Sequence, residues 1–378
     1  MAERNSRREA LARAETWVIK VGSALLTQDG QGLDEQGLDV WCDQIASLMA
    51  LGKRAVLVSS GAVAEGCRRL GFDRRPTTVH ELQAAAAVGQ SGLIEAYERA
   101  FRQRDRRIAM VLLTHDDLSD RERYLNARTT LATLLDLGVV PVINENDSVA
   151  TEEIKLGDND TLAGMVASLL SADVLVLLTD QDGLHESDPR LEPTAPVVRQ
   201  AAAADPKLDA MAGGGAGRLG RGGMVTKLAA ARLAALSGAH TVIANGRTPN
   251  ILGRLADGEG CGTLLTADVA PLDARKRWLA GQRRAKGDLV VDAGAADAIA
   301  NRGVSVLPAG VMDATGTFRR GDLVRVVDPD GRAVAKGLAN YDAGEARKLA
   351  GCKSSQIEAI LGYVDEPELI HRDNLVLL

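Results

Sequence analysis

The sequence is poor in the residues from which disulfide frameworks, zinc sites and membrane spans are built. It has four cysteines and five histidines among 378 residues. There is no C-x-x-C pair and no H-x-x-x-H spacing, so neither a disulfide framework nor a zinc site is indicated. No window of about 18 apolar residues occurs, and residues 1–13 lack the apolar core of a signal peptide. We therefore expect a cytoplasmic protein that does not contact a membrane.

The charge balance argues against a protein that binds polyanions, such as nucleic acids, through a net positive charge. The net charge is −6, with 51 acidic and 45 basic residues, so any phosphate site must be local. Hydrophobic residues make up 46% and charged residues 25% of the chain, which is typical of a soluble globular enzyme. A single hydrophobic core stops growing near about 250 to 300 residues, and the length therefore predicts two domains.

From Thr16 to about Asn245, apolar runs alternate with helical patterns, which is typical of a parallel sheet covered by helices on both faces. The predicted strands, each nearly continuous in Val, Ile and Leu, are Thr16–Val21, Ala55–Ser59, Ile108–Leu113, Val139–Ile143, Val174–Leu178 and Thr241–Ala244. The predicted helices include Glu81–Phe101, Glu122–Leu137, Thr161–Leu170 and Met224–Leu236. The pattern predicts a three-layer αβα sandwich with a mainly parallel sheet.

The pattern changes after Thr263, where a basic run at Arg275–Arg277 precedes short strands such as Asp288–Asp292 and Asp322–Asp328. We expect a flexible tail over residues 1–14, a large domain over 15–270, a linker over 271–283 and a small β-rich domain over 284–378. Within the large domain, Gly213–Gly223 is a glycine-rich loop, and it is the segment we expect to be most mobile.

Two lysines stand next to glycine-bearing segments. Lys20 ends a predicted strand and is followed by Gly22, and Lys227 follows Gly222 and Gly223 at the start of a predicted helix. Such an arrangement suits a transferring phosphoryl group, whose oxygens spread negative charge. Asp160 can accept hydrogen bonds from both ammonium groups. The alternatives are solvated lysines and an aspartate that is only a helix N-cap.

Two further polar turns follow predicted strands. Asn144–Asp147 is either a solvent-exposed turn or a loop that faces a substrate, and we favour the second. Ser59–Ala62 ends a strand and opens a helix, so its N–H groups can hold a carboxylate or a phosphate. The G-x-S-x-G pattern of a nucleophile elbow and the G-K-[ST] of a P-loop are absent, and the G-x-G-x-x-G at Gly215–Gly220 does not follow a strand.

Taken in order, these turns resemble those of the amino-acid kinase family, and in particular of its members that phosphorylate L-glutamate. The resemblance rests on six segments: Lys20–Ser23, Ser59–Ala62, Asn144–Asp147, Lys155–Asp160, Leu178–Asp180 and Gly222–Lys227. It also includes residues 120–128 and 360–373. From about Arg284 the chain is similar to PUA domains, which bind RNA in RNA-modifying enzymes. The near balance of charge in this part argues against RNA binding here.

The resemblance implies a role for each motif residue. Lys20 and Lys227 would stabilise the transferring phosphoryl group, and Asp160 would organise them. Glutamate would be held by Ser60, Asn144, Asp147 and Asn159. ATP would be contacted by Lys20, Gly22, Thr179, Asp180, Arg221, Gly222, Gly223, Met224, Val225, Thr226 and Lys227.

The implied reaction is the ATP-dependent phosphorylation of the γ-carboxylate of L-glutamate, the first step toward proline. Mg²⁺ would bridge the nucleotide phosphates, and no metal-ligand set is assigned to the protein. Proline as an inhibitor, a homo-oligomer and handover of the product to glutamyl-phosphate reductase are further expectations. Two alternatives stay open: a kinase of another acid, such as aspartate or N-acetylglutamate, and an RNA-binding protein whose kinase-like domain is a scaffold.

Overall fold

The structure is a computed structural model that describes residues 2–27, 32–149, 159–213, 223–267 and 285–378, with the side chains of 2–7 and of residue 121 left out. The chain divides into two compact units. One comprises Met1–Ser119 and Ala127–Pro271, and the other comprises Asp120–Asn126 and Leu272–Leu378. The expected linker over 271–283 and most of the glycine-rich loop, residues 214–222, lie outside the described residues. None of the helices described is long and apolar enough to cross a bilayer.

The larger unit is built on an eight-stranded sheet. Its strands are β1 (Thr16–Val21), β2 (Arg54–Val58), β3 (Arg107–Leu113), β4 (Val139–Glu145), β5 (Val174–Thr179), β6 (Gln200–Ala202), β7 (His240–Asn245) and β8 (Thr263–Thr266). Their order is β3-β4-β2-β1-β5-β7-β8-β6. All neighbouring pairs are parallel except β7 and β8. This mainly parallel sheet confirms the predicted fold class.

Helix α1 (Ala2–Arg13) precedes β1, and the other helices before residue 260 lie in the connections between these strands. These others are α2 (Ser23–Leu26), α3 (Glu35–Ala50), α4 (Ala62–Arg69), α5 (Val79–Arg102), α6 (His115–Ser119), α7 (Arg121–Asp136), α8 (Asn159–Leu170), α9 (Lys207–Met211), α10 (Met224–Ala235) and α11 (Ile251–Ala256). The central strand β1 is buried along its whole length, because helices cover both faces of the sheet.

The predicted strands of the larger unit agree with the observed ones to within two residues at each end. The sequence pattern missed β6 and β8, which have three and four residues. Both are shorter than the runs by which buried strands are recognised. Their place in the sheet comes from pairing with each other and from the antiparallel pairing of β8 with β7.

The expectation of a flexible N-terminal tail is wrong, because helix α1 occupies Ala2–Arg13. Leu11 is fully buried, and the Arg8 guanidinium donates to the carbonyl oxygens of Glu259 and Arg199 at 2.9 and 3.0 Å. Lys53 Nζ donates to carbonyls at the end of the helix, including that of Ala12 at 2.8 Å. One leucine in a polar stretch gives no helical periodicity, so only these tertiary contacts reveal the helix.

The smaller unit has its own sheet and core. Its strands are β9 (Gly287–Val291), β10 (Val311–Gly316), β11 (Leu323–Val327), β12 (Ala333–Leu338) and β13 (Leu375–Leu377), in the order β10-β9-β11-β12-β13. Only the β9–β11 pair is parallel. The helices α12 (Ala293–Arg302), α13 (Ala343–Leu349) and α14 (Ile357–Leu361) complete it. The core includes Leu289, Val324 and Tyr341, so the unit is β-rich, as predicted.

Helices α4 and α5 cross at a distance that only glycine permits. A Cβ added at Gly66 would lie 1.6 Å from the carbonyl oxygen of Ala85, and one added at Gly89 would lie 1.8 Å from that of Ala62. Both clashes are with backbone, which cannot rotate away as a side chain can. The two glycines therefore set how closely α5 approaches the sheet edge from which α4 begins.

We expect Gly66→Ala to destabilise the protein by about 3 kcal/mol or more, because the added methyl group forces the two helices apart. Chemical denaturation followed by circular dichroism measures the change. Gly294→Ala is the matched control, since the nearest atom to its added Cβ is a side-chain oxygen of Asp292 at 3.3 Å. Equal stability of Gly66→Ala and the parent protein would contradict this account of the helix crossing.

Candidate active site

The polar turns singled out in the sequence follow four neighbouring strands of the larger unit. Strands β4, β2, β1 and β5 are adjacent in that order and parallel, so their carboxyl ends open at one edge of the sheet, where open α/β sheets bind ligands. Lys20 is the fifth residue of β1 and lies between Val58 of β2 and Leu177 of β5. Its position at the centre of the sheet makes this edge the candidate active site.

Two lysines and one aspartate form the centre of the site. Lys20 Nζ lies 2.6 Å from Oδ1 of Asp160, and Lys227 Nζ lies 2.9 Å from Oδ2. The Asp160 side chain is fully buried, and the lysine side chains are 7% and 6% exposed. Thr226 donates from its hydroxyl to Oδ2 at 2.8 Å. The carboxylate therefore holds both ammonium groups in fixed positions.

The charges of this cluster explain its protonation. Burial by itself would raise the pKa of Asp160, but the positive charges of Lys20 and Lys227 outweigh it and lower the pKa to about 2. The carboxylate is thus ionised at neutral pH. Two ammonium groups against one carboxylate leave one positive charge in a site shielded from water, where an anion is bound more strongly than at the surface.

Close packing of two helices brings Lys227 to Asp160. Helix α8 carries Asp160 in its first turn, and α10 carries Lys227 in its own first turn. A Cβ added at Gly164 would lie 2.6 Å from the carbonyl oxygen of Ala230, so the glycine lets the two helices approach. The N-terminal turns of both helices therefore flank the same buried charge.

A network of side-chain amides lies on the β2–β4 side of the cluster. Asn159 Nδ2 donates to the carbonyl oxygen of Ser59 at 2.6 Å, to Oγ of Ser60 at 3.2 Å and to Oδ1 of Asn144 at 2.8 Å. Asn144 Nδ2 donates to Oε1 of Gln90 at 2.9 Å. Asn144 is almost completely buried. These groups offer several uncharged polar atoms next to a positive charge.

The turn after β2 depends on a glycine. Gly61 precedes helix α4 with φ of 98°, a left-handed conformation that favours glycine. Ser59 donates from its backbone N–H to the carbonyl oxygen of Ile143 at 2.8 Å, which extends the pairing of β2 with β4. Ser60 is thereby held between a strand that ends and a helix that begins, beside Asn159.

A pocket of about 310 Å³ lies on the β5 side. Thr179 and Asp180, at the end of β5, form one wall, and Gly223, Met224 and Lys227 at the start of α10 form another. His185, Arg190 and Met211 also line it, and none of these three was singled out in the sequence. Lys227 lines this pocket and also belongs to the charged cluster, so a ligand in the pocket can contact Lys227.

Of the other predicted residues, Gly22, Asp147 and Val225 lie among the described residues. Gly22 donates to the carbonyl oxygen of Leu178 at 3.2 Å, and a Cβ there would lie 3.2 Å from the same oxygen. Asp147 lies in the partly exposed turn after β4, and Val225 is 58% exposed on α10. Arg221 and Gly222 lie outside the described residues. The prediction that the glycine-rich loop contacts a nucleotide therefore stays a prediction for those two.

Among the residues that the structure describes, no three His, Cys, Asp or Glu side chains converge as a metal-ligand set.

Comparison with known proteins gives a consistent result over the whole chain. The model of the amino acid kinase family matches residues 15–245, and that of the PUA domain matches residues 287–361. The chain is 60% identical over 371 residues to glutamate 5-kinase of Thioalkalivibrio sulfidiphilus, covering 98% of this chain and 99% of that protein. It is 58% identical to glutamate 5-kinase of Janthinobacterium sp. (strain Marseille), covering 97% and 99%, and 58% identical to that of Stutzerimonas stutzeri, covering 98% and 100%.

We expect Asp160→Asn to change how stability depends on pH. The pKa of Asp160 is lowered from its ordinary value of 3.8 to about 2, so its stabilising effect is present above pH 4 and lost as the pH falls toward 2. The linked free energy is about 2 kcal/mol. The parent protein should lose about that much more free energy of unfolding than Asp160→Asn in urea titrations between pH 5 and pH 2. Parallel pH profiles would mean that the two lysines do not depress this pKa.

Proposed function

This chain belongs to the amino acid kinase family, and we propose that it transfers the γ-phosphoryl group of ATP to the γ-carboxylate of L-glutamate, giving L-glutamyl 5-phosphate. The observation that carries the proposal is the buried Lys20–Asp160–Lys227 cluster, with a pocket on one side and an amide network on the other. Three relatives that are 58–60% identical and match over nearly their whole length are named glutamate 5-kinase. The whole site, and not only the fold, supports this reaction.

The two lysines supply electrostatic stabilisation. In the reaction an oxygen of the γ-carboxylate forms a bond to the γ-phosphorus, and the bond from that phosphorus to the bridging oxygen breaks, leaving its electron pair on ADP. The transferring group spreads negative charge over its oxygens. Two preorganised ammonium groups oppose that charge without having to rearrange. Because the attacking carboxylate is already ionised, no general base is required.

The role of Asp160 is to hold the two lysine side chains in place. Without a carboxylate between them, two ammonium groups this close would repel each other, and each would bear its full desolvation cost. The ion pairs at 2.6 and 2.9 Å direct both groups to one place. We assign to Asp160 the role of organising the catalytic lysines.

We assign glutamate to the side of the amide network. Ser60, Asn144 and Asn159 carry hydroxyl and amide groups suited to a carboxylate, and Asp147 offers the acceptor oxygens that an α-ammonium group needs. The nucleotide would occupy the side of Thr179 and Asp180, with Gly223 and the first turn of α10 against its phosphates. We assign Arg221 and Gly222 to the nucleotide on family membership. Phosphoryl donor and acceptor would then meet at the two lysines.

Magnesium would accompany the nucleotide, neutralising charge on its phosphate oxygens. We further propose, on family membership, that the protein acts in the cytoplasm at the first step of proline biosynthesis and forms a homo-oligomer. The acyl phosphate product is labile in water, which favours direct handover to glutamyl-phosphate reductase. Proline as an inhibitor is tested by measuring turnover with and without added proline.

The substrate is tested by trapping the product. The purified protein is incubated with ATP, Mg²⁺ and hydroxylamine, together with L-glutamate, L-aspartate or N-acetyl-L-glutamate, and the hydroxamate is measured. We expect hydroxamate with glutamate alone. Product from another acid would leave a kinase with a different acceptor pocket, and no product from any of the three would favour the scaffold alternative.

We expect Lys227→Met to lower kcat by about 100-fold or more, because one of the two charges that stabilise the transferring group is lost. Lys20→Met should behave similarly, and steady-state kinetics with glutamate measures both. Lys207→Met, an exposed position on α9, is the matched control and should keep the parent kcat. A Lys227→Met variant with undiminished turnover would remove that lysine from the mechanism.

A further inference from the structure

We propose that helix α5 positions the acceptor amides, with Gln90 and Tyr97 as positioning residues that act through Asn144, Asn159 and Ser59. The inference rests on the proposed function, because it assigns α5 to the glutamate side of that site. Neither residue was singled out in the sequence, and neither is a residue to which we assign contact with substrate. Gln90 contacts Asn144, which we do assign to the site, and Tyr97 contacts Ser59, the neighbour of the assigned Ser60.

The direction of every bond in the amide network follows from one backbone oxygen. The carbonyl oxygen of Ser59 can only accept, so the group of Asn159 that lies 2.6 Å from it must be the donor, Nδ2. The same Nδ2 lies 2.8 Å from Asn144, so Asn144 must present its acceptor, Oδ1. Only one orientation of each amide satisfies these contacts.

Gln90 is the last member of this series of hydrogen bonds. Once Oδ1 of Asn144 faces Asn159, its Nδ2 faces the other way and needs an acceptor, because Asn144 is 1% exposed. Oε1 of Gln90, at 2.9 Å, is that acceptor. Nε2 of Gln90 lies 3.2 Å from the sulfur of Met110, which fits the same orientation. Gln90 therefore satisfies Nδ2 of Asn144 in the orientation that turns Oδ1 toward Asn159.

Tyr97 holds the other end of the network. It is fully buried, and its hydroxyl lies 2.8 Å from Oγ of Ser59. Burial raises the pKa of Tyr97, so the hydroxyl keeps its proton and can donate. Ser59 Oγ in turn donates to the carbonyl oxygen of Ser60 at 3.2 Å. The turn that carries Ser60 is thereby attached to α5.

Helical geometry explains why the single helix α5 contacts both Asn144 and Ser59. Gln90 and Tyr97 are seven residues apart, close to two turns of an α-helix, so both lie on the same face of α5. The closest approach of α5 to the backbone of α4 is at Ala85, which faces Gly66. The next closest is at Gly89, which is adjacent to Gln90. The close crossing of α4 and α5 thus places this face of α5 against the ends of β2 and β4.

The test compares Gln90→Met with Gln90→Glu. Methionine has a similar length but offers no good acceptor, whereas a glutamate side chain can still accept from Asn144 Nδ2. We expect Gln90→Met to raise KM for glutamate about tenfold, the equivalent of one lost buried hydrogen bond, and to change KM for ATP by less than about twofold. Gln90→Glu should recover most of the loss. Gln103→Met, exposed at the end of the same helix, should match the parent.

Three results would overturn the role of Gln90: unchanged KM values in Gln90→Met, equal rises in both KM values, or no recovery in Gln90→Glu. Tyr97→Phe, which removes only the hydroxyl, should also raise KM for glutamate selectively, and a parent-like KM would exclude Tyr97. If the parent protein does not phosphorylate glutamate, the proposed function fails. The hydrogen-bond network is then tested by chemical denaturation. Gln90→Met should lower the denaturation midpoint when it is made in the parent protein, but not when it is made in the Asn144→Ala variant. Equal shifts in the two backgrounds would exclude the network.

Discussion

The candidate site depends on one buried carboxylate that lies between two ammonium groups. Each lysine comes from a different element, one from the central strand β1 and one from the first turn of α10, and Asp160 on α8 contacts both. A carboxylate taken out of water on its own would be protonated, and a lysine taken out of water on its own would lose its proton. Here the carboxylate is stabilised by both ammonium groups, and each ammonium group is paired with that carboxylate. The same arrangement leaves one positive charge, which is what an incoming phosphoryl group requires.

This arrangement constrains the fold around it. Strand β1 must be central so that Lys20 emerges between β2 and β5, and α8 must pack against α10 closely enough to join Asp160 to Lys227. Gly164 permits that packing, as Gly66 and Gly89 permit the crossing of α4 and α5 on the other side of the site. The three glycines at these two helix contacts thus serve the geometry of the site. The charged cluster and the amide network are held by two separate helix pairs.

Much of the fold and the site can be predicted from the sequence because the relevant signals are local. The runs that become β1 and β5 are apolar throughout, since both faces of those strands are buried, and the polar turns after them stand out by contrast. Lys20, Asn144 and Asp160 could be proposed because each lies near the end of a strand or at the start of a helix. Helix α1 could not be predicted, because its stability comes from the burial of Leu11 and from the bonds of Arg8 to distant carbonyls. Strands β6 and β8 are too short for a pattern of hydrophobic residues to be recognised in them.

The sequence by itself determined the alternation of strands and helices, the edge of the sheet where the polar turns meet, and the chemical type of the groups gathered there. It determined them because hydrophobic periodicity and turn chemistry are properties of neighbouring residues. The tertiary structure alone decided which of those groups touch, and which buried residues orient them. Gln90 and Tyr97 illustrate the difference: on α5 each is one more residue of a long helix, and only the crossing of α4 and α5 brings them to Asn144 and Ser59. Contacts between residues this far apart in the chain depend on backbone packing at a few glycines, a property that no local pattern carries.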